Sequence, residues 1–219
     1  MIPLRDIVPS RTRPYVTVTI IVLNVAAFLF ELSLPPDTRQ AFLQAFGVVP
    51  AAFTWPTVFT SMFLHAGWLH IGGNMLYLWI FGDNVEDRVG HGRFLLFYLL
   101  CGTVAALGQV FANPLSAIPT IGASGAIAGV MGAYIVLYPR SQVLTLIPLI
   151  IFWEIIEVPA IFFLGFWFLL QLISVGVVAQ STQGGGVAFW AHIAGFLTGM
   201  GLVQVLKRPE RERVEWWSQ

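Results

Sequence analysis

Six apolar runs, each close to the length needed to cross a hydrocarbon layer, limit what this chain can fold into more than any other feature. A spanning helix needs about 20 apolar residues, within a range of roughly 17 to 25, because lipid offers no partner for an open backbone. The runs cover residues 15–34, 68–82, 93–112, 122–138, 156–178 and 188–206. The second and fourth are short for a full span, so their ends must be sheltered by neighbouring helices or line a cavity. With 57% hydrophobic and 10% charged residues and a mean hydropathy of +0.80, the chain has too little polar surface to clothe a soluble globule. The expected fold is an all-α, polytopic membrane bundle of six transmembrane helices. It divides into an N-terminal cytoplasmic segment (residues 1–14), a helical domain (15–206) and a basic C-terminal tail (207–219).

Orientation follows from the cations, since Lys and Arg accumulate in short cytoplasmic loops. An inside N-terminus puts Arg5, Arg11, Arg13, Arg88, Arg93, Arg140, Lys207, Arg208, Arg211 and Arg213 on the cytoplasmic side and leaves only Arg39 outside. A seventh span over Val143 to Trp153 would reverse the tail, and at about 11 residues that stretch is short. It is expected to be an interfacial or buried half-helix ending at Glu154 and Glu157, with Pro159 in the first turn of the fifth helix. The connections are a Pro-containing first loop (Leu34 to Gly67), an Asn113-Pro114 turn and the Gly-rich stretch Gln183-Gly184-Gly185-Gly186. The net charge of zero gives no reason to expect a nucleic-acid partner. Cys101, with no second cysteine, reads as a small buried hydrophobe.

In that topology the second, fourth and sixth helices all run inward from the outer face. His70, Ser124 and His192 each fall near the outer end of one of them. Polar groups are expensive in lipid and tend to face a bundle interior or a water-filled cavity, so three at one depth form a candidate site. Gly125 and Gly129 on the fourth run, and Gly195 and Gly199 on the sixth, are Gly-x-x-x-Gly pairs that let helix backbones approach closely. Close approach is what an imidazole needs to reach a serine hydroxyl, within about 2.6 to 3.2 Å, and act as its general base. Individually the residues have plainer readings: Ser124 as a packing or N-cap residue, His192 as an interhelical hydrogen-bonding group, His70 and Asn74 as a bridge to the first loop.

Taken in order, the motifs resemble the rhomboid family of intramembrane serine proteases, in its bacterial-type form with a six-helix core. His65-x4-His70-x3-Asn74 is similar to the family's second-helix motif and Gly82-x3-Glu86-x3-Gly90 to the one closing that helix. Gly122-Ala123-Ser124-Gly125 is similar to the nucleophile motif, and Ala191-His192-x2-Gly195-x3-Gly199 to the base motif. The resemblance covers residues 60 to 201. It implies a serine-type endopeptidase of the cell (inner) membrane, with both termini cytoplasmic and the active site opening outward. Ser124 would be the nucleophile and His192 the base, a dyad without an aspartate. His70, Asn74 and the Ser124 backbone N–H would stabilise the oxyanion, as a tetrahedral intermediate requires donors. Partners would be transmembrane protein substrates and the lipid bilayer. The alternative is an inactive rhomboid-like protein that binds transmembrane clients, against which the retained Ser124 and His192 argue.

No cofactor is expected, and no metal: His-x4-His lacks the same-face geometry of a ligand pair, and there is no Cys cluster or His-Glu-x-x-His. His65 reads as structural, Glu86 as a carboxylate satisfying donors at the inner end of the second helix, and His91 as remote from the site. Two departures from the family pattern stand out. Where some members have a Trp-Arg pair in the first loop, Trp55 is followed here by Pro56 and Thr57. Where some have an aromatic residue one turn after the serine, packed on the base, this chain has Ala128, so His192 must be oriented by another group.

Overall fold

The computed structural model describes residues 1–148, 153–178 and 188–209. The Gly-rich stretch at 183–186 and the tail from 210 on, with Arg211 and Arg213, lie outside the described residues. Six long helices correspond to the six apolar runs: α1 (Tyr15–Ser33), α4 (Trp68–Val89), α5 (His91–Ala112), α6 (Ser124–Leu137), α7 (Ala160–Val178) and α8 (Phe189–Leu206). The first loop is folded, holding α2 (Pro36–Phe46), α3 (Trp55–Thr60) and two 3-10 turns, Pro50–Ala52 and Ser61–Phe63. Among the described residues, α1, α5 and α8 are each long and apolar enough to cross a membrane by themselves.

α4 is not short, as its apolar run had implied; it continues through Asp83-Asn84-Val85-Glu86 to Val89. Glu86 lies on its buried face and holds the polar half inside the protein. The Glu86 carboxylate accepts from the Val16 N–H (2.9 Å), the Thr17 N–H (2.7 Å) and the Thr17 hydroxyl (2.7 Å), and lies 2.6 Å from His91 Nδ1. One fully buried carboxylate therefore ties the start of α1 to the end of α4 and the start of α5. Gly90, at φ +89°, makes the reversal between α4 and α5, a backbone conformation that side-chain-bearing residues rarely adopt.

α6 has 14 residues and spans only about 21 Å, yet every residue from Gly125 to Tyr134 is buried. It sits at the centre, contacted by α4, α5, α7 and α8, so its short ends never meet lipid. Glycines on α8 are what let it come so close. A Cβ added at Gly195 would fall inside the carbonyl oxygen of Gly125, and one at Gly199 inside that of Gly129. On the α5 side, a Cβ at Gly129 would come within 2.5 Å of Cys101, whose thiol is buried in that seam.

Residues 142–159 correct the expected half-helix. Strands β2 (Gln142–Pro148) and β3 (Trp153–Pro159) form an antiparallel pair, and the N-terminus adds β1 (Ile2–Asp6) on the far edge of β2, giving the order β1-β2-β3. Pro159 ends β3 rather than opening the next helix. The stretch is rich in β-branched residues, alternating Val143 and Thr145 inward and buried, and a short apolar run bounded by prolines does not distinguish strand from helix by periodicity. Pairing with β1 was invisible locally because its partner is more than a hundred residues away. The sheet shares one end of the bundle with Arg88, Arg93 and Arg208; the Arg208 N–H donates to the Arg88 carbonyl (3.0 Å). At the opposite end lie the first loop, the 113–121 segment and Arg39, whose guanidinium reaches the His65 carbonyl at 3.4 Å.

Candidate active site

At this loop-bearing end the amino termini of α4, α6 and α8 converge. Ser124 is the first residue of α6 and His192 lies in the first turn of α8. The segment before Ser124 is fixed on both sides. Val48 and Thr120 exchange backbone hydrogen bonds of 3.0 and 2.8 Å, and the Gly122 N–H donates to the Ser61 carbonyl (2.8 Å). Gly122 adopts φ +120°, which carries the chain sharply into α6 and leaves Ser124 half-buried at its N-terminal end, where the helix dipole favours negative charge.

The glycine seam between α6 and α8 then brings the serine and histidine together: Ser124 Oγ is 2.8 Å from His192 Nε2. The opposite ring nitrogen, Nδ1, is 2.8 Å from Gln171 Oε1 on α7. The Trp167 ring, one turn before Gln171, stands 5.7 Å from the imidazole at 42°. These two residues fill the part that Ala128 leaves open. Gln171 was passed over in the sequence, although an amide inside a 19-residue apolar helix is the same intramembrane polar signal that singled out Ser124 and His192.

His70 and Asn74, one turn apart on α4, face the same space. The Ala66 N–H donates to His70 Nδ1 (3.3 Å), so the proton of a neutral ring sits on Nε2 and points toward Gly122. A Cβ placed on Gly122 would be 2.8 Å from His70 Nε2 and 3.6 Å from Asn74 Nδ2, so only glycine leaves room beside both donors. The Asn74 Nδ2 is buried and finds no partner among the described residues. A buried amide donor left unpaired normally calls for a ligand or a bound water. A cavity of about 910 Å³ collects these groups, lined by His70, Asn74, Tyr77, Ser124, Trp167 and His192.

The remaining histidines stand apart from this set. His65 is fully buried behind His70, ring centroids 5.0 Å apart, and its backbone N–H donates to the Glu31 carboxylate (3.2 Å). His91 sits at the far end on Glu86. Among the described residues no three His, Cys, Asp or Glu side chains group as metal ligands would. Chemically, the arrangement offers a hydroxyl with a base in hydrogen-bond contact, and two side-chain donors and a helix N-terminus aimed at one point, all on the wall of a cavity.

Comparison with known proteins bears on the family. The family model described as "Rhomboid domain" matches residues 52–209. The chain is 35% identical over 138 residues to the rhomboid protease GluP of Bacillus subtilis, covering 60% of this chain and 27% of that protein. It is 27% identical over 186 residues to the mitochondrial rhomboid protein 1 of Saccharomyces cerevisiae, covering 81% and 49% respectively. To the rhomboid protease AarA of Providencia stuartii it is 30% identical over 139 residues, covering 55% and 50%. The matched region thus spans half or less of each of these three relatives.

Proposed function

The chain belongs to the rhomboid family and is an integral membrane protein, and on that premise we propose that it is a serine endopeptidase cutting transmembrane proteins. The observation that carries the reading is the 2.8 Å contact between Ser124 Oγ and His192 Nε2 on the wall of a cavity that also holds an unpaired amide donor. A serine hydroxyl is a poor nucleophile until a base takes its proton. As Oγ attacks a substrate carbonyl carbon, the proton passes to His192 Nε2 and the carbonyl oxygen becomes an oxyanion. His70 Nε2–H, Asn74 Nδ2–H and the Ser124 N–H stabilise that charge, and it is in the transition state that such donors act most strongly. Collapse expels the amine, which takes the proton from His192. Water, deprotonated by the same nitrogen, then releases the acyl group from Ser124. His70 and Asn74 supply the side-chain donors; Gly195 and Gly199 let α8 close on α6, and Gly125 and Gly129 seat α6 against α5.

The catalytic unit is the 15–206 region in a cell (inner) membrane, with both termini cytoplasmic. The placement of the cations at the sheet end, and of the cavity at the other, supports an outward-opening site. An intact substrate helix hides its carbonyls in its own hydrogen bonds, so substrates should be single spans weakened by Gly or Pro in their outer part. A fluorophosphonate, which modifies only activated serines, tests the reading. Labelling of the purified protein should vanish in Ser124→Ala, and His192→Ala should lower hydrolysis by roughly 10⁴ or more. Equal labelling of Ser124→Ala removes the assignment. A client-binding protein without activity would show no labelling at all.

A further inference from the structure

We propose that Gln171 is a positioning residue for His192: it holds the proton on Nδ1, so that Nε2 stays free to accept from Ser124, and it makes the base depend on α7. The inference rests on the Ser124–His192 reading above.

A neutral imidazole carries one N–H. For Nε2 to accept the Ser124 hydroxyl proton, that N–H must be on Nδ1, and Nδ1 needs an acceptor to keep it there. Gln171 Oε1, 2.8 Å away, is that acceptor. Which end of the amide faces the ring follows from its other contact. Gln171 Nε2 is 3.3 Å from the Trp167 carbonyl, which only accepts, so the NH₂ faces Trp167 and the oxygen faces His192. The result is a directed chain: Ser124 Oγ–H to His192 Nε2, His192 Nδ1–H to Gln171 Oε1, Gln171 Nε2–H to Trp167 O. Each link fixes the next.

This third group is an uncharged amide, and among the described residues no Asp or Glu lines the cavity that His192 faces. An amide orients the ring without favouring its protonated form, as a carboxylate would. The other titratable groups lining that cavity, among the described residues, are His70 and Tyr77, both on α4; α6 presents Ser124 and α7 presents Trp167, with Gln171 behind the His192 ring. α7 itself is held on one side only. Trp167 and Phe168 stack on Phe196 of α8, with centroids 6.1 and 4.6 Å away, while Phe162, Phe166, Leu170 and Ile173 are exposed. The group that orients the base is therefore carried by a peripheral helix, and the nucleophile and base by the glycine-sealed centre.

Two variants in detergent micelles, assayed with a single-span substrate, test this. Gln171→Leu keeps the volume and removes the acceptor; kcat should fall about tenfold, with KM within about twofold, because the ring loses its tautomer and orientation and not its substrate contacts. Gln171→Glu keeps an acceptor and adds a carboxylate beside His192 Nδ1. Its turnover at neutral pH should stay nearer the parent's, but the acid limb of its kcat/KM profile should move to higher pH, because a neighbouring negative charge keeps His192 protonated further up the scale. A purely packing role would lower melting temperature in step with turnover in Gln171→Leu, and Gln171→Glu would recover no turnover despite its acceptor. Wild-type kcat in Gln171→Leu, or an unshifted limb in Gln171→Glu, overturns the positioning role. If the parent still labels at Ser124 with fluorophosphonate in that case, the proposed function stands; if it does not label, both fall.

Discussion

A single methyl group at Gly195 should disable the site from one turn away. Gly195 lies three residues after His192 on α8, and a Cβ there would overlap the carbonyl oxygen of Gly125, the residue after Ser124. Ordinary carbon–oxygen contact begins near ~3.3 Å, so α8 must retreat from α6 by on the order of 1 Å. The Ser124–His192 separation of 2.8 Å would then open to about 3.8 Å, past the limit of roughly 3.2 Å for a useful hydrogen bond. A misplacement of that size costs about 10² in rate, and overpacking costs about 1–3 kcal/mol of stability, part of it offset by the better helix propensity of alanine. Gly201→Ala is the control on the same helix: its Cβ would meet nothing within 4 Å. The assay is initial-rate cleavage of a single-span substrate alongside thermal melting followed by circular dichroism. Gly195→Ala should lose turnover far more than its melting temperature accounts for, and Gly201→Ala should lose neither. Full turnover in Gly195→Ala would refute the claim that the glycine seam sets the reacting distance.

The two α4 donors should separate chemistry from binding: His70→Ala and Asn74→Ala are expected to lower kcat by up to 10²–10³ with little change in KM, and a raised KM with intact kcat would make either one a substrate contact. At the sheet end, burial and the nearby Asp83 hold the Asp6 carboxyl up at about 6, against the hydrogen bond from the Tyr134 hydroxyl (2.6 Å), which favours the ionised form. A carboxyl raised above its unfolded value of 3.8 contributes stability that is present below pH ~4 and lost as pH rises through about 6. Asp6→Asn keeps an acceptor for Tyr134 and cannot ionise, so its melting temperature should fall less between pH 4 and 7 than the parent's; parallel curves would rule Asp6 out as the source.

The polar groups of the candidate site were legible because lipid makes polarity conspicuous. Ser124, His192, His70 and Asn74 stand out against apolar runs, and Gly195 and Gly199 announce close packing by spacing alone. Helix α1 and helix α5 were readable to within two residues for the same reason. What escaped was whatever depended on a distant partner. α4 looked short because Asp83 to Arg88 is polar, and only the Val16 and Thr17 donors meeting Glu86 show why that polarity is buried. Val143 to Trp153 looked like a half-helix because its pairing partner β1 is more than a hundred residues away. Gln171 carried the right signal, an amide in a hydrophobic helix, but no motif drew attention to it, and its meaning appears only when α7 lies against α8.

The arrangement of β1 imposes an order on assembly. Its partner strand β2 begins at Gln142, 136 residues after β1 ends at Asp6, with α1, α4, α5 and α6 between them. At typical synthesis rates of about 5–20 residues per second, the first strand waits on the order of 10 s for its mate. β1 is made well before it can dock, and Asp6 closes over the Tyr134 hydroxyl only after the central helix is in place.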